Sequence, residues 1–160
     1  MWVVGGEIKS RKILLAVDIS ENSHRAVVYA GDFTASAEAK FTLYHVVRSF
    51  GLGIVDENAI LDEEIQERFA EEVQNDVPRM FSRYTESLGR CGVARTSIAS
   101  KHTFPSYSRA ADILREVKEG GYGTIVLGRR GLSTVPEFSM GGVTNKVLSR
   151  AKGFAAWIVP

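Results

Sequence analysis

The feature that most constrains the fold is an alternation of short apolar runs with longer amphipathic stretches along the chain. Four runs are predicted to be strands: "KILLAV" (12–17), "KFTLYHVV" (40–47), "TIVLG" (124–128) and "AAWIVP" (155–160). Most of their residues are apolar and many are β-branched, which is typical of strands buried on both faces of a parallel sheet. A weaker alternation in "VARTSIAS" (93–100) predicts a further strand, the third in chain order.

Helices are predicted between these strands. Three run over about 59–88, 107–121 and 142–151, and the first follows the capping residues "SENS" (20–23) and carries apolar residues at helical spacing, Ala26, Val27, Ala30 and Phe33. Pro78 falls inside the longest one and should kink or break it, because proline removes a backbone donor and crowds the preceding turn. The alternation predicts one α/β domain over residues 1–160, with a parallel sheet and helices on both faces. In such sheets, ligands bind beyond the carboxyl ends of strands, where the strand order reverses.

Composition excludes several classes of function. The net charge is +1, so no global field attracts nucleic acid or an acidic membrane surface. The single cysteine, Cys91, excludes an intrachain disulfide framework. The start of the chain has the wrong charge order for a signal peptide, and no apolar run is long enough to span a membrane. We therefore expect a cytoplasmic protein that binds neither membrane nor nucleic acid.

The segment "GRRGLSTVPEFSMGGVTNKV" (128–147) follows a predicted strand and carries four glycines. The P-loop pattern and the G-x-G-x-x-G pattern are both absent. Glycine-rich main chain that leads into a helix can still turn its amides towards an anion, with Arg129 and Arg130 adding charge and Thr144 a hydroxyl. The alternative is a tight turn and a helix cap with solvated arginines. The residues alone leave both interpretations open.

The spacing G-x-x-G, nine residues, then G-[ST] resembles the nucleotide loop of the universal stress protein family. "KILLAVDISENSHRAVVYA", "TLYHVV", "ADILREV" and "TIVLG" extend the resemblance over most of residues 11–159. The resemblance implies a single doubly wound domain whose five-stranded parallel sheet has the order 3-2-1-4-5. It also implies binding of ATP, or of ADP or AMP, with Mg²⁺, as in many members of the family.

The resemblance also implies a set of site residues. Asp18 and the main chain of Ala16 and Val17 would approach adenine and ribose, and the main chain of Val46 would contact adenine. The ribose and phosphates would be lined by Leu127, Gly128, Gly131, Gly141, Gly142, Val143 and Thr144. The family's Ser or Thr after the second glycine is Gly142 here, which predicts weaker binding by roughly tenfold. Apart from the resemblance, Asp18 can also be explained as a helix cap together with Ser20.

The remaining polar residues indicate no catalytic or metal site. His24, His45 and His102 lie too far apart in sequence for a metal-binding spacing, and His45 is expected to be a core residue with its hydrogen bonds satisfied. Cys91 has no neighbour in the sequence that would activate its thiol. Residues 48–60 are predicted to be either a lid or a loop.

In the order 3-2-1-4-5 the last strand is an edge. An apolar edge invites pairing, so a homodimer through Ala155–Val159 is predicted; a covered edge in a monomer is the alternative. The leading functional hypothesis is an adenine-nucleotide-binding regulatory module with at most slow hydrolysis. A dimeric stress or interaction protein with an empty loop, and a slow ATPase, are the alternatives.

Overall fold

The computed structural model describes residues 2–4, 10–34, 38–47, 67–68, 70–104, 108–131 and 140–160, and for 2–4 the main chain alone. The strands are β1 (Trp2–Val4), β2 (Lys12–Ala16), β3 (Lys40–Val46), β4 (Ile98–Thr103), β5 (Thr124–Gly128) and β6 (Ala155–Val159). The α-helices are α1 (Glu21–Thr34), α2 (Val77–Arg90), α3 (Arg109–Glu119) and α4 (Gly142–Leu148).

The described strands form one sheet in the order β1-β6-β5-β2-β3-β4. The strands β2 to β6 are parallel to one another, which confirms the predicted order 3-2-1-4-5. Their side chains alternate between two cores: Ile13 and Leu15 of β2 pack with α1 and α2, whereas Leu14 packs with α3 and α4. Helices therefore cover both faces of the sheet, as predicted. One domain over residues 1–160 stays a prediction.

The last strand is not an edge, and on this point the sequence-based expectation is wrong. The N-terminal strand β1 pairs with it antiparallel, so β6 lies between β1 and β5. A run of three apolar residues is too short to show the period of a strand, and for that reason the sequence gives no sign of β1. The homodimer through β6 stays a prediction, and in this structure residues 2–4 occupy that side of β6.

Two other boundaries differ from the expectation. The strand predicted over 93–100 begins at Ile98, because Arg95–Ser97 form a 3₁₀ turn. The long helix is interrupted as predicted near Pro78, although by a change of helix type: Glu72–Asp76 form a π-helical segment and α2 restarts at Val77. At the second position of α2 the missing N–H of proline is tolerated. Residues 48–66 lie outside the described part of the chain.

None of the described helices is long and apolar enough to cross a membrane.

Candidate functional site

The candidate site lies at the carboxyl end of β2, where the order of the sheet reverses. β2 is flanked by β3 on one side and by β5 on the other, and Ala16 stands opposite Leu127. Chains that leave β2 and β5 turn towards opposite faces of the sheet, which opens a crevice between them. The structure thus brings the segments 16–18 and 127–131 together, as predicted.

Asp18 reaches across this crevice with one oxygen of its carboxylate. Its Oδ1 accepts hydrogen bonds from the amide of Ser20 (3.0 Å) and the hydroxyl of Ser23 (2.7 Å). Its Oδ2 faces Gly131 so closely that a side-chain methyl group at Gly131 would lie 2.5 Å from it. No donor to Oδ2 is present among the described residues. Only glycine fits at 131 without moving the carboxylate, and one carboxylate oxygen remains available to a ligand.

The start of α1 accounts for only part of the role of Asp18. Ser20 caps this helix, since its hydroxyl accepts from the amide of Ser23 (3.2 Å) and its carbonyl from the amide of His24 (3.2 Å). Asp18 supports that turn through Oδ1 alone. The capping of α1 therefore explains the contacts of Oδ1 but does not explain the position of Oδ2.

The two described ends of the glycine loop close on each other. Gly141 donates from its amide to the carbonyl of Arg129 (3.0 Å), and a methyl group at Gly141 would lie 3.4 Å from the Cα of Arg130. Gly128 packs so tightly on Asn22 that a methyl group there would lie 2.9 Å from its carbonyl carbon. The loop thus leaves β5 beside the first turn of α1, and its other described end, at Gly141, lies beside Arg129 and Arg130. Residues 132–139 lie outside the described part.

The loop leads into α4, whose first amides have no acceptor in the part of the chain that the structure describes. Within the described residues, the N–H groups of Gly142, Val143 and Thr144 make no hydrogen bond. The buried hydroxyl of Thr144 donates to the carbonyl of Gly128 (3.0 Å), so its proton is used inside the fold. Thr144 was expected to offer its hydroxyl to a phosphate, and here the amide is the free donor.

The two arginines of the loop are half-buried. The Nε of Arg130 is buried and has no acceptor among the described residues. A buried cationic donor without a partner is costly. An anion bound at the loop would supply the missing acceptor.

The main chain of Val17, expected to contact adenine or ribose, is already bonded on both sides. Its amide donates to the carbonyl of Tyr44 (2.9 Å), and its carbonyl accepts from Nδ1 of His45 (2.8 Å). The side chain of Val46 is buried and its main chain stands opposite Thr103 in β4. The main-chain groups of Val17 are thus used within the fold, whereas Oδ2 of Asp18 has no donor among the described residues.

His45 is buried with both ring nitrogens bonded, which confirms it as a satisfied core residue. Beyond the contact with Val17, its Nε2 lies 3.1 Å from Oε1 of Glu72, a residue that is also buried. Glu72 begins the π-helical segment. No local pattern distinguishes Glu72 from the other acidic residues of this part of the chain.

Tyr84 is a supporting residue that the sequence-based reasoning missed. Its hydroxyl donates to the carbonyl of Asp18 (2.7 Å), and the ring of His24 stacks on it at 5.8 Å. Burial, and then the charge of Asp18, raise the pKa of Tyr84, so it remains a donor. The signal available in the sequence was the hydroxyl of a tyrosine within an amphipathic helix, because this group needs a partner when buried.

Neither metal-binding nor thiol chemistry marks this region. The described residues include no group of three His, Cys, Asp or Glu that would hold a metal ion. Burial, with Asp32 as a second cause, raises the pKa of Cys91 to about 11. Its thiol is therefore protonated at neutral pH, in agreement with the prediction that it is unreactive.

Comparison with known proteins agrees with this architecture. The model of the universal stress protein family matches residues 9–153. The chain is similar to universal stress protein YxiE of Bacillus subtilis, with 27% identity over 136 residues that cover 85% of this chain and 90% of that protein.

Solved structures share the fold. Universal stress protein UspA of Lactobacillus plantarum superposes with a TM-score of 0.76 at 19% identity, over 93% of this chain and 97% of that one. The universal stress protein of Archaeoglobus fulgidus in complex with dAMP superposes with a TM-score of 0.57 at 17% identity, over 96% and 100% of the two chains. The match of the family model over most of the chain, together with this shared fold, shows that the chain belongs to the universal stress protein family.

Proposed function

We propose that this chain is an adenine-nucleotide-binding regulatory module. The observation that supports it best is the contact between Gly131 and Oδ2 of Asp18, which joins the glycine loop to a carboxylate at the switch point of the sheet. The structure of a relative with the same fold was solved in complex with dAMP, an adenine nucleotide. The resemblance of the loop points to ATP, with ADP or AMP as further ligands.

Each free group of the site suits one part of a nucleotide. The open oxygen of Asp18 suits a ribose hydroxyl, since carboxylates take this role in nucleotide-binding folds. The amides of Gly142 to Thr144 suit phosphate oxygens, and the buried Nε of Arg130 suits their charge. Mg²⁺ would come to the site with the phosphates of ATP. No residue is assigned a catalytic role. Any slow hydrolysis would be the reaction of the bound nucleotide with water, without a protein group acting as acid or base.

A second candidate function is a protein-interaction module with an empty loop. Two observations favour it: the hydroxyl of Thr144 is bonded to Gly128, and Gly142 lacks the hydroxyl that the family pattern carries. In this case the glycines would only turn the chain. A homodimer, a cytoplasmic location and a role in stress responses are compatible with both functions and stay predictions.

Calorimetric titration with Mg-ATP separates the two functions, with the pair Gly131→Ala and Gly142→Ala as variants. The methyl group at 131 would collide with Asp18, whereas a methyl group at 142 meets nothing within 4 Å. We expect Gly131→Ala to lose at least tenfold in affinity and Gly142→Ala to stay within threefold. A ligand at about 100 times its dissociation constant stabilises a protein by roughly 2.7 kcal/mol, so a thermal shift reports binding independently.

Two outcomes of these titrations would contradict the proposed nucleotide site. If millimolar Mg-ATP, ADP and AMP give neither heat nor a thermal shift with the unmodified chain, the loop is structural and the interaction module is the better description. Equal affinities of Gly131→Ala and the unmodified chain would place the nucleotide elsewhere on the molecule.

A further inference from the structure

We propose that β1 is an intramolecular substitute for the last strand of a second copy, so that β1 and a partner's β6 compete for the same edge. This inference concerns the assembly of the protein and does not depend on the proposed nucleotide binding. It starts from the finding that the strand expected to form a dimer edge is covered by residues 2–4 of its own chain.

The register of β1 shows what it replaces. β1 runs antiparallel to β6, with Trp2 opposite Trp157, Val3 opposite Ala156 and Val4 opposite Ala155. The sequence that β1 places on this edge is therefore Trp-Val-Val, read in the direction from Trp157 to Ala155 of β6.

A second copy of β6 would place almost the same sequence there. β6 has five residues, Ala155–Val159, and Trp157 is its centre. If two copies pair antiparallel about a two-fold axis at Trp157, the residues opposite Trp157, Ala156 and Ala155 are Trp157, Ile158 and Val159 of the other copy. The edge would then receive Trp-Ile-Val in place of Trp-Val-Val. The two sequences differ by one methylene group, between Ile158 and Val3, and share register and direction.

The surroundings of Trp157 also suit a two-fold contact. Phe33 of α1 meets Trp157 edge to face, with ring centroids 5.4 Å apart, and Tyr29 stacks on Phe33 at 6.0 Å. Phe33 is 55% exposed and Tyr29 40% exposed. An axis at Trp157 would bring two of these aromatic groups to one interface, where burial of their exposed area would stabilise the dimer.

Two properties act in opposite directions in this competition. Strand length favours the β6 of a second copy, and attachment to the same chain favours β1. A second copy can pair along all five residues of β6, whereas the described register of β1 covers three. β1, however, belongs to the same chain, so its pairing with β6 is intramolecular, and such pairing carries an effective concentration on the order of millimolar. Weakening β1 should therefore shift the chain towards the dimer.

The test uses full-length variants in the absence of nucleotide, with sedimentation velocity over a range of concentrations. Val3→Pro removes an amide from β1 and disfavours its pairing, and Val3→Thr is the matched control that keeps a β-branched residue. We expect Val3→Pro to dimerise at a concentration at least tenfold lower than the unmodified chain, and Val3→Thr to behave like the unmodified chain. A monomeric Val3→Pro at every concentration would overturn the proposal.

A second variant fixes β1 in place and keeps the test decisive if the proline variant folds poorly. Val3→Cys and Ala156→Cys lie opposite each other, so in a Cys91→Ser background they can form a disulfide between β1 and β6. We expect the oxidised variant to stay monomeric, and reduction to restore the association of the unmodified chain. A dimer that persists in the oxidised variant, or a disulfide that forms between chains, would show that β1 does not exclude a partner from its own edge.

Discussion

Two polar groups flank the end of β2, and they differ in how completely the protein satisfies them. His45 has a polar partner at each ring nitrogen, the carbonyl of Val17 at Nδ1 and the carboxyl group of Glu72 at Nε2. Asp18 has two donors at Oδ1, and at Oδ2 only the close approach of Gly131. A buried polar group with all its partners inside the fold belongs to the structure, and one with a free atom beside a crevice is available for binding. By this difference His45 is a structural residue, whereas Asp18 has one oxygen that remains open.

The largest expected effect falls on the satisfied group. Glu72→Ala removes the partner of Nε2 and leaves this buried ring nitrogen of His45 without its hydrogen bond. Breaking a buried pair of this kind costs about 2–4 kcal/mol, so we expect a loss of that size in the free energy of unfolding, measured with urea. Affinity for Mg-ATP should change less than threefold while the variant is folded.

The neighbouring Glu71→Ala is the control for this change. Glu71 lies on the same helical segment and is exposed, so its removal should alter stability by no more than about 0.5 kcal/mol. If both variants unfold at the same urea concentration, the contact between His45 and Glu72 does not stabilise the fold. The interpretation of His45 as a structural residue is then wrong.

The next effect should appear in binding rather than in stability. Asp18→Asn keeps the shape of the side chain and an oxygen for Ser20 and Ser23, but removes the charge that would accept from a ribose hydroxyl. A hydrogen bond to a charged group contributes about 1.5–3 kcal/mol, so Mg-ATP affinity should fall by roughly ten- to hundredfold in calorimetry. Stability should change by no more than about 1 kcal/mol.

Asp32→Asn, an exposed position at the other end of α1, is the matched control and should leave affinity unchanged. The opposite pattern, in which Asp18→Asn destabilises the fold and spares the affinity, would make Asp18 a structural residue like His45. The distinction between satisfied and open groups would then have no predictive value in this protein.

The sequence predicts the parallel part of the fold because each parallel strand and each helix has its own local signal. The apolar run at 124–128 and the helix stop at Gly120 are visible without any tertiary information. β1 is invisible for the opposite reason, since three residues become a strand only when β6 offers an edge. The start of β4 was misplaced because a 3₁₀ turn at Arg95–Ser97 has no hydrophobic period of its own.

The same division holds at the candidate site. Asp18 and the glycines were found because they lie in continuous motifs next to predicted strands. Tyr84 and Glu72 were missed because they are 66 residues from Asp18 and 27 from His45, respectively, in an ordinary amphipathic helix. Pairing across such distances is set by how α2 and the π-helical segment pack on the sheet. Local sequence does not encode that packing in a readable form.

The smallest expected effect is that of Gly142→Ser. This substitution places the serine of the family pattern at the one position where the chain departs from it. A side chain at 142 meets nothing within 4 Å, so serine fits without displacing the chain, and its hydroxyl would stand beside the free amides at the start of α4. One neutral hydrogen bond contributes about 0.5–1.5 kcal/mol, so we expect Mg-ATP affinity to rise by roughly threefold to tenfold. Gly142→Ala adds a carbon atom without the hydroxyl and should show no gain. Equal affinities of the serine and alanine variants would mean that no phosphate oxygen lies within reach of residue 142, and that the open side of the site ends at Asp18 and Gly131.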